Sequence, residues 1–292
     1  MKLLLIGGGG REHALAWKLG QDRARPRLFC APGNAGTAAL GENLDIAAED
    51  VPGLLAWARR EKPDLTVVGP EAPLCAGLAD EFQTAGLRVF GPSRAAAQLE
   101  GSKGFAKDAL RAAGVPTAGS ASFTDYDRAF AHVRAGPLPV VIKADGLAAG
   151  KGVTIAATLE EADVALRACL VGGVFGRAGA RVLVEEFLEG EELSVLALVD
   201  GERAALLPPA QDHKRALDGD LGPNTGGMGA YSPAPLAAPA VLDAARERVF
   251  APLLAELRRR GIVYKGVLYA GLMIARGGLN VLEFNCRFGD PE

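Results

Sequence analysis

The chain has 292 residues, which is long for a single hydrophobic core, so about two domains are expected. A net charge of −3 without a basic tract gives no electrostatic footprint for nucleic acid or an anionic membrane surface. The four cysteines are scattered and form no C-x-x-C pair, which argues against structural zinc and favours reduced thiols in a cytoplasmic protein. No stretch is long and apolar enough to span a membrane.

The first hundred residues alternate short apolar runs with amphipathic segments. Residues 3–6, 27–31, 64–68 and 87–90 are predicted strands, and Gly/Pro-rich loops follow them. Strands that alternate with helices indicate a parallel sheet with crossover helices, and ligands bind at the carboxyl ends of such strands. The loops expected at that edge are 7–10, 32–36 and 69–71.

Hairpins dominate beyond about residue 100. Ser102 is a predicted N-cap for a helix at 103–113, and an apolar hairpin is predicted over 267–285. This half is therefore expected to be α+β and mostly antiparallel. Its other predicted strands are 139–144, 152–156, 181–186 and 193–200, and its other predicted helices are 160–170 and 240–260.

The glycine-rich turn after residue 144 is the strongest signal of chemistry. A buried strand delivers Lys143, and Lys151 lies between Gly150 and Gly152. Backbone N–H groups in such a turn can contact phosphate oxygens while the two ammonium groups neutralise charge. Because Gly152 follows Lys151 where a Walker loop has Ser or Thr, this is not a Walker loop. The alternative is a hairpin turn with two solvated lysines.

A second polar pattern occurs on the last predicted strand. The two-residue period places Glu283, Asn285 and Arg287 on one face, with Leu282 and Phe284 directed into the core. A carboxylate beside an amide oxygen suits a magnesium ion that bridges nucleotide phosphates, and Arg287 can then stabilise phosphate charge. An edge strand with a polar outer face is the alternative.

Three further segments are weaker. The strand at 182–188 runs into an acidic turn, which could bind adenine and ribose or could be only an acidic surface turn. The polar stretch at 212–229 is predicted to be a long loop over a substrate; His213 in it is a general base or, more ordinarily, a satisfied polar group. Residues 7–10 open a helix, which is a phosphate-binding geometry, although the match to a dinucleotide fingerprint is loose.

Several longer motifs now add to these signals. They are G-G-G-G-R-E-H-A at 7–14, P-G-N-A-G at 32–36, V-G-P-E-A-P-L at 68–74, S-K-G-F-A-K at 102–107, K-A-D-G-L-A-A-G-K-G-V at 143–153, Q-D-H-K-R at 211–215, N-T-G-G-M-G at 224–229 and R-F-G-D-P-E at 287–292. Together with the E-x-N-x-R strand they resemble the ATP-grasp superfamily. Within it they are similar to the phosphoribosylamine–glycine ligase family, also called the glycinamide ribonucleotide synthetases.

The resemblance implies a fold and a reaction. An α/β Rossmann-like domain at 1–100 precedes an α+β ATP-grasp domain at 101–292, with a mobile lid subdomain at about 120–190. ATP phosphorylates the carboxylate of glycine, and 5-phosphoribosylamine attacks the acyl phosphate, giving glycinamide ribonucleotide, ADP and phosphate in purine synthesis. The family has a further C-terminal domain that is absent from this chain, so a fragment with intact ATP binding but reduced ligase activity is expected. A monomer is also expected.

The resemblance also implies site residues. ATP is expected at Lys103, Lys143, Gly150, Lys151, Gly152, Glu185, Glu186, Leu188 and Glu191, and Mg²⁺ or Mn²⁺ at Glu283 and Asn285. Glycine and the sugar phosphate are expected at Gly8, Gly9, Gly10, Asn34, Glu71, Asp212, Lys214, Arg215, Gly226, Gly227, Met228 and Arg287. The catalytic residues implied are Arg287, Lys214 and Asp212.

The sequence departs from the superfamily's usual pattern at one place, and three alternative functions remain. The stretch 268–272, which pairs with the metal strand, has no carboxylate, which argues against a tightly held second metal ion. The rivals are an ATP-grasp ligase or carboxylase for another acid or amine, an NAD-dependent oxidoreductase built on the first glycine-rich turn, and a nucleotide-binding module without catalysis.

Overall fold

The structure is a computed structural model that describes residues 1–148, 151–213, 215–219, 221–225, 227–275 and 277–292. Its helices are α1 (Gly10–Gly20), α2 (Ala35–Ala38), α3 (Val51–Glu61), α4 (Glu71–Ala76), α5 (Leu78–Thr84), α6 (Arg94–Gly101), α7 (Lys103–Ala112), α8 (Tyr126–Ala135), α9 (Leu159–Leu170), α10 (Pro239–Ala245) and α11 (Ala251–Arg259). A π-helical turn, Arg246–Phe250, joins α10 to α11. No helix among these residues is long and apolar enough to cross a membrane.

The strands form three main sheets and two short pairs. They are β1 (Lys2–Gly7), β2 (Arg27–Pro32), β3 (Glu42–Asn43), β4 (Leu65–Val68), β5 (Val89–Phe90), β6 (Ser120–Phe123), β7 (Val140–Ala144), β8 (Val153–Ala156), β9 (Val182–Glu186), β10 (Glu191–Asp200), β11 (Ala204–Leu206), β12 (Gln211–Asp212), β13 (Arg215–Leu217), β14 (Leu221–Asn224), β15 (Ala230–Tyr231), β16 (Lys265–Ala275) and β17 (Gly278–Asn285).

The N-terminal sheet has the order β3-β2-β1-β4-β5, and all its strand pairs are parallel. Its central strand β1 is apolar on both faces, and Leu3 to Ile6 are at most 2% exposed, as expected of a parallel strand that is covered on both sides. Gly7 pairs with Pro32 and Ile6 with Val68, so the loops after β1, β2 and β4 begin at one edge. The predicted parallel sheet is confirmed.

The second sheet is antiparallel and has the order β11-β10-β16-β17. Strands β10 and β16 pair along their lengths, from Glu191 with Ile274 to Asp200 with Lys265. Its buried residues, such as Leu268 and Phe284, belong to the same apolar cluster as Leu4 of β1. Because the first two sheets share this core, they are packed against each other.

The third sheet, β6-β9-β7-β8, has a separate apolar core with α8 and α9. Ile142 of β7, Val184 of β9 and Leu166 of α9 are at its centre, each at most 3% exposed. A sheet with its own core fits the lid subdomain expected at about 120–190. The predicted boundaries of the domains and of the lid, and the mobility of the lid, stay predictions.

Strand β17 differs from its predicted alternation at one position. Gly271 of β16 pairs with Glu283, but the next pair joins Leu272 to Val281, so Leu282 is an extra residue in the ladder. Such a bulge moves the following side chains by one face. Val281 and Phe284 are therefore the buried residues, and Leu282, predicted to point into the core, lines a cleft instead.

The polar stretch that was predicted to be one long loop contains short strands. Gln211–Asp212 pairs with Ala230–Tyr231, and Arg215–Leu217 pairs with Leu221–Asn224. Two nested antiparallel pairs thus take up part of its backbone hydrogen bonds. Sequence reasoning missed them because strands of two to four residues are too short to show a periodic pattern.

Candidate active site

A cleft of about 1150 Å³ lies between the third sheet and strand β17. Its walls include residues of β7, β8 and β9 on one side and of β16 and β17 on the other. Thirteen of the predicted site residues line it: Glu71, Lys103, Lys143, Gly152, Glu185, Glu186, Leu188, Glu191, Asp212, Met228, Glu283, Asn285 and Arg287. The structure thus collects side chains that are as far as 216 positions apart in sequence.

The start of helix α7 positions Lys103 at this cleft. Ser102 is the N-cap and accepts from the N–H of Phe105 at 3.1 Å, as predicted. Asp145, just after β7, accepts from the N–H of Gly104 at 2.7 Å and therefore ties this helix to the third sheet. Burial lowers the pKa of Lys103, and the carboxylate of Glu283 opposes that shift.

Lys143 lies in a buried charge cluster. Glu185 Oε2 is 3.1 Å from Lys143 Nζ and 3.0 Å from Lys107 Nζ, and all three residues are at most 6% exposed. Lys143 Nζ also donates to the carbonyl of Leu282 at 3.2 Å, so the β17 bulge is bonded directly to the third sheet. Glu185 Oε1 is buried and has no hydrogen-bond partner in the described part of the chain.

Glu283 and Asn285 place a carboxylate and an amide on the cleft wall. Opposite Glu283 on β16 is Gly271, so β16 places no side chain at that position of the ladder. Asn285 Oδ1 accepts from Arg287 Nη2 at 3.0 Å and keeps a second lone pair. In the described ranges no group of three or more His, Cys, Asp or Glu residues forms a metal cage.

Two carboxylates fix Arg287 at the end of this wall. Its guanidinium is 3.4 Å from Glu71 and 3.3 Å from Glu100, and it donates to the carbonyl of Phe288 at 3.1 Å. Burial by itself would lower the pKa of Arg287, but Glu100 and Glu71 raise it. Burial also raises the pKa of Glu100, against the effect of Arg287. The guanidinium is therefore held as a fixed cation.

The first glycine-rich turn lies beside the cleft. Gly9 is the N-cap of α1, and its N–H donates to Glu12 at 2.6 Å. The N–H of Arg11 donates to Asp290, a cleft residue, at 3.2 Å. Both carboxylates lie where the helix dipole favours negative charge. The sugar-phosphate site predicted here stays a prediction, since Asp290 would have to give way to a phosphate.

Other predicted residues surround this turn or the neighbouring segments. Asn34 Nδ2 donates to the carbonyls of Gly8 and Gly9, 3.1 Å away in each case, and so holds the turn. A side chain on Gly227 would place its Cβ 2.7 Å from Pro291 Cδ, which shows how closely this segment approaches the chain after β17. Met228 is 63% exposed at the cleft.

The remaining predictions are only partly described. Gly150, Lys214 and Gly226 lie outside the described residues, and so does the side chain of Arg215. Lys151 is exposed, and its N–H donates to the carbonyl of Ala148 at 3.0 Å. The ring of His213 lies 5.8 Å from that of Tyr231, centroid to centroid; the choice between a general base and a satisfied polar group stays a prediction.

Sequence reasoning missed three residues of this site. Glu100 holds Arg287 and accepts from the N–H of Cys286 at 2.7 Å, a contact 186 positions away in sequence that nothing local indicates. Thr117 donates to the carbonyl of Val281 at 2.6 Å. Of the three, only Lys107 could have been found from the sequence, because its four-residue spacing from Lys103 places both lysines on one face of a helix.

A parallel-sheet domain, an antiparallel sheet and a second small sheet with a cleft lined by lysines and carboxylates define the ATP-grasp class of proteins. Comparison with known families shows which family of this class the chain belongs to. The chain belongs to the phosphoribosylglycinamide synthetase family: the model of its N domain matches residues 1–100, and the model of its ATP-grasp (A) domain matches residues 101–292.

Individual relatives agree with the family. A phosphoribosylamine–glycine ligase of Allochromatium vinosum is 57% identical over 295 residues, which cover 100% of this chain and 69% of that protein. The crystal structure of a phosphoribosylamine–glycine ligase from Thermotoga maritima superposes with a TM-score of 0.85 at 34% identity, covering 100% of this chain and 70% of the other. The biotin carboxylase domain of a Hydrogenobacter thermophilus 2-oxoglutarate carboxylase, solved with MgADP, shares the fold alone, with a TM-score of 0.76, 17% identity, and 98% and 64% coverage.

The cleft fits the nucleotide and divalent metal that the family uses. The buried, unpartnered Oε1 of Glu185 suits a donor such as the amino group of adenine. Lys103 and Lys143 supply positive charge within the same cleft. The Glu283–Asn285 oxygens suit a magnesium-like ion that takes its other ligands from phosphates and water.

Proposed function

We propose that the chain catalyses the ATP-dependent ligation of glycine to 5-phosphoribosylamine through a glycyl phosphate. The products are glycinamide ribonucleotide, ADP and phosphate, a step of purine synthesis. The observation that carries the proposal is the shared cleft, in which two lysines, an oxygen pair and a fixed arginine face one volume. Family membership supplies the identity of the acid and the amine.

ATP is proposed to lie with its base at β9 and its phosphates at the lysines. Glu185, Glu186 and Leu188 would contact adenine, and Glu191 the ribose. Lys103 and Lys143 would contact the phosphates, with Gly150, Lys151 and Gly152 covering them.

Glu283 and Asn285 are proposed to hold Mg²⁺ or Mn²⁺. The ion neutralises phosphate charge and polarises the transferred phosphoryl group when it is bound. Gly271 contributes no side chain opposite Glu283 on the neighbouring strand.

Two displacements then complete the reaction. A carboxylate oxygen of glycine attacks the γ-phosphorus of ATP, the bond to the β-γ bridging oxygen breaks, and ADP leaves. The amine of phosphoribosylamine next attacks the acyl carbon; the C–O bond to phosphate breaks and the nitrogen loses a proton. Arg287 lies on the cleft wall, where it can offset negative charge on the transferred phosphoryl group. Positioning and electrostatics carry such chemistry, and no nucleophilic side chain is required.

The other substrates are proposed to contact the cleft's remaining rim. Asp212, Lys214 and Arg287 would act on the reacting groups. The other proposed contacts for glycine and the sugar phosphate are Gly8, Gly9, Gly10, Asn34, Glu71, Arg215, Gly226, Gly227 and Met228. The predicted monomeric state and cytoplasmic location stay predictions.

ADP release tests the proposal. A coupled assay with Mg·ATP and phosphoribosylamine is run with glycine, without it, and with bicarbonate or D-alanine in its place. We expect turnover only with glycine; release with another acid would instead support a different ATP-grasp ligase or carboxylase. Glycine labelled with ¹⁸O in its carboxylate should transfer one label to the released phosphate. The variant Glu283→Gln should lose turnover, and the control Glu247→Gln, an exposed change outside the cleft, should keep it.

A further inference from the structure

Lys107 is a buried cation at the wall of the cleft. It is 4% exposed, and it follows Lys103 by one helical turn. Its Nζ lies 2.7 Å from Thr117 Oγ1 and 3.3 Å from the carbonyl of Ala118, and 3.0 Å from Glu185 Oε2. Three acceptors therefore saturate the three N–H groups of this ammonium.

Glu185 uses a single oxygen for two ammonium groups. Oε2 is 3.0 Å from Lys107 and 3.1 Å from Lys143. Two cations and one anion leave one formal positive charge within a nearly dry cluster. Of the two lysines, Lys143 is the one proposed to contact the phosphates. The affinity for the nucleotide therefore depends on whether the excess positive charge acts at Lys143.

We propose that Lys107 is a positioning residue that neutralises Glu185 and thereby leaves the charge of Lys143 available to the nucleotide's phosphates. This inference rests on the proposed function, in which ATP phosphates lie at Lys143. The Lys107 ammonium is occupied by Thr117, Ala118 and Glu185, so we expect it to act on the phosphates through Glu185 and Lys143 rather than by direct contact. Without it, Lys143 and Glu185 form a one-to-one ion pair, and the phosphates meet a neutral cluster.

The hydrogen bonds of the two lysines fix their positions relative to Glu185. Lys143 is fixed by the carbonyl of Leu282 at 3.2 Å, and Lys107 is fixed by Thr117 at 2.7 Å and by the carbonyl of Ala118 at 3.3 Å. Glu185 lies between them and cannot turn to one lysine without losing the other. Coulomb energy varies inversely with both dielectric and distance, so at low effective dielectric a unit charge is still felt several ångströms away.

Isothermal titration calorimetry of AMP, ADP and ATP, each with Mg²⁺, tests the inference. In Lys107→Met we expect a roughly tenfold loss of ATP affinity, about 1.4 kcal/mol, and about a twofold loss for AMP. The ratio of ATP to AMP affinity is the readout, because any common change at the adenine end cancels in it. Lys107→Arg, which keeps the charge, should keep the ratio within about threefold.

A double variant separates charge from packing. Lys107→Met with Glu185→Gln restores one excess positive charge, so its ATP-to-AMP ratio should return toward that of the parent. Equal losses of AMP and ATP in Lys107→Met, or no recovery of the ratio in the double variant, would overturn the inference while leaving the proposed function intact. A parent protein that binds no ATP would overturn both.

Folding is checked by circular dichroism and thermal unfolding of each variant. If Lys107→Met does not fold, Glu185→Gln and the double variant are compared instead. Glu185→Gln carries one more positive charge than the double variant, so its ATP-to-AMP ratio should be about tenfold higher. Equal ratios in these two variants would refute the charge argument.

Discussion

Thr117→Val should loosen the strand that carries the proposed metal ligands. The Thr117 hydroxyl donates to the carbonyl of Val281 at 2.6 Å and accepts from Lys107 Nζ at 2.7 Å. Strand β17 is at the edge of its sheet, and residues 116–117 cover that edge. Valine keeps the shape of the side chain but removes both hydrogen bonds.

The two hydrogen bonds of Thr117 determine the expected loss of folding free energy. A hydrogen bond between neutral groups contributes about 0.5–1.5 kcal/mol, and one to a charged group contributes about 1.5–3 kcal/mol. The two bonds of Thr117 therefore give an expected loss of about 2–4 kcal/mol. The N–H of Val281 still donates to the carbonyl of Pro116 at 2.8 Å, so the segment should loosen and remain attached.

Urea and thermal unfolding measure this loss, with Thr117→Ser as the matched control. Serine keeps the hydroxyl and should stay within about 1 kcal/mol of the parent, whereas the valine variant should melt about 4–8 °C lower. Amide hydrogen exchange at residues 281–283 should accelerate more than elsewhere, and kcat should fall because Glu283 follows the bulge directly.

An equal loss of stability in the valine and serine variants would refute the reasoning, since it would assign the effect to packing rather than to the hydroxyl. Unchanged exchange at 281–283 in Thr117→Val would likewise show that the hydroxyl does not hold β17.

Three other changes give separate outcomes. Glu283→Gln should weaken Mg·ATP binding by at least tenfold but barely change metal-free ATP binding; equal effects with and without metal, measured by calorimetry, would remove it as a metal anchor. Arg287→Lys keeps the charge but loses the paired contacts with Glu71 and Glu100, so kcat should fall about 10²-fold in the ADP-release assay; an unchanged kcat would exclude a transition-state role. Hydrogen bonds from Arg259 and Arg260 lower the pKa of Glu256 from the ordinary 4.5 to about 2. Since the folded state binds the proton less tightly, Glu256→Gln should lower stability at pH 7, and the difference should disappear as pH falls from about 4.5 to about 2; a deficit that persists in acid would contradict this.

The sequence predicted the elements with long or regular patterns. Strand β1 is a short apolar run before a glycine turn, and its buried parallel pairing was confirmed. The hairpin of β16 and β17 likewise followed from two apolar runs with a Gly-Gly turn between them. Helices α6 and α8 and strand β6 were not predicted, because their short, mixed-polarity segments carry little periodic signal.

The bulge at Leu282 shows how a single register shift escapes local reasoning. A strict two-residue period through Glu283, Phe284 and Asn285 puts Leu282 in the core, whereas the alternation of the residues before it, Leu279 to Val281, puts it on the opposite face. The extra residue lies where β17 pairs with β16 on one side and receives hydrogen bonds from Thr117 and Lys143 on the other. Thr117 and Lys143 are 164 and 139 positions away from the residues that they contact.

By itself the sequence determined the class of chemistry, because glycine-rich turns, paired lysines and a carboxylate–amide strand are local patterns with direct chemical meaning. Only the tertiary structure decided which of those groups share one cleft, and which other residues set their charge and orientation. Glu100 and Lys107 belong to that second group. Their roles depend on distances in the folded chain, and burial makes each unpaired charge costly enough that its partner matters.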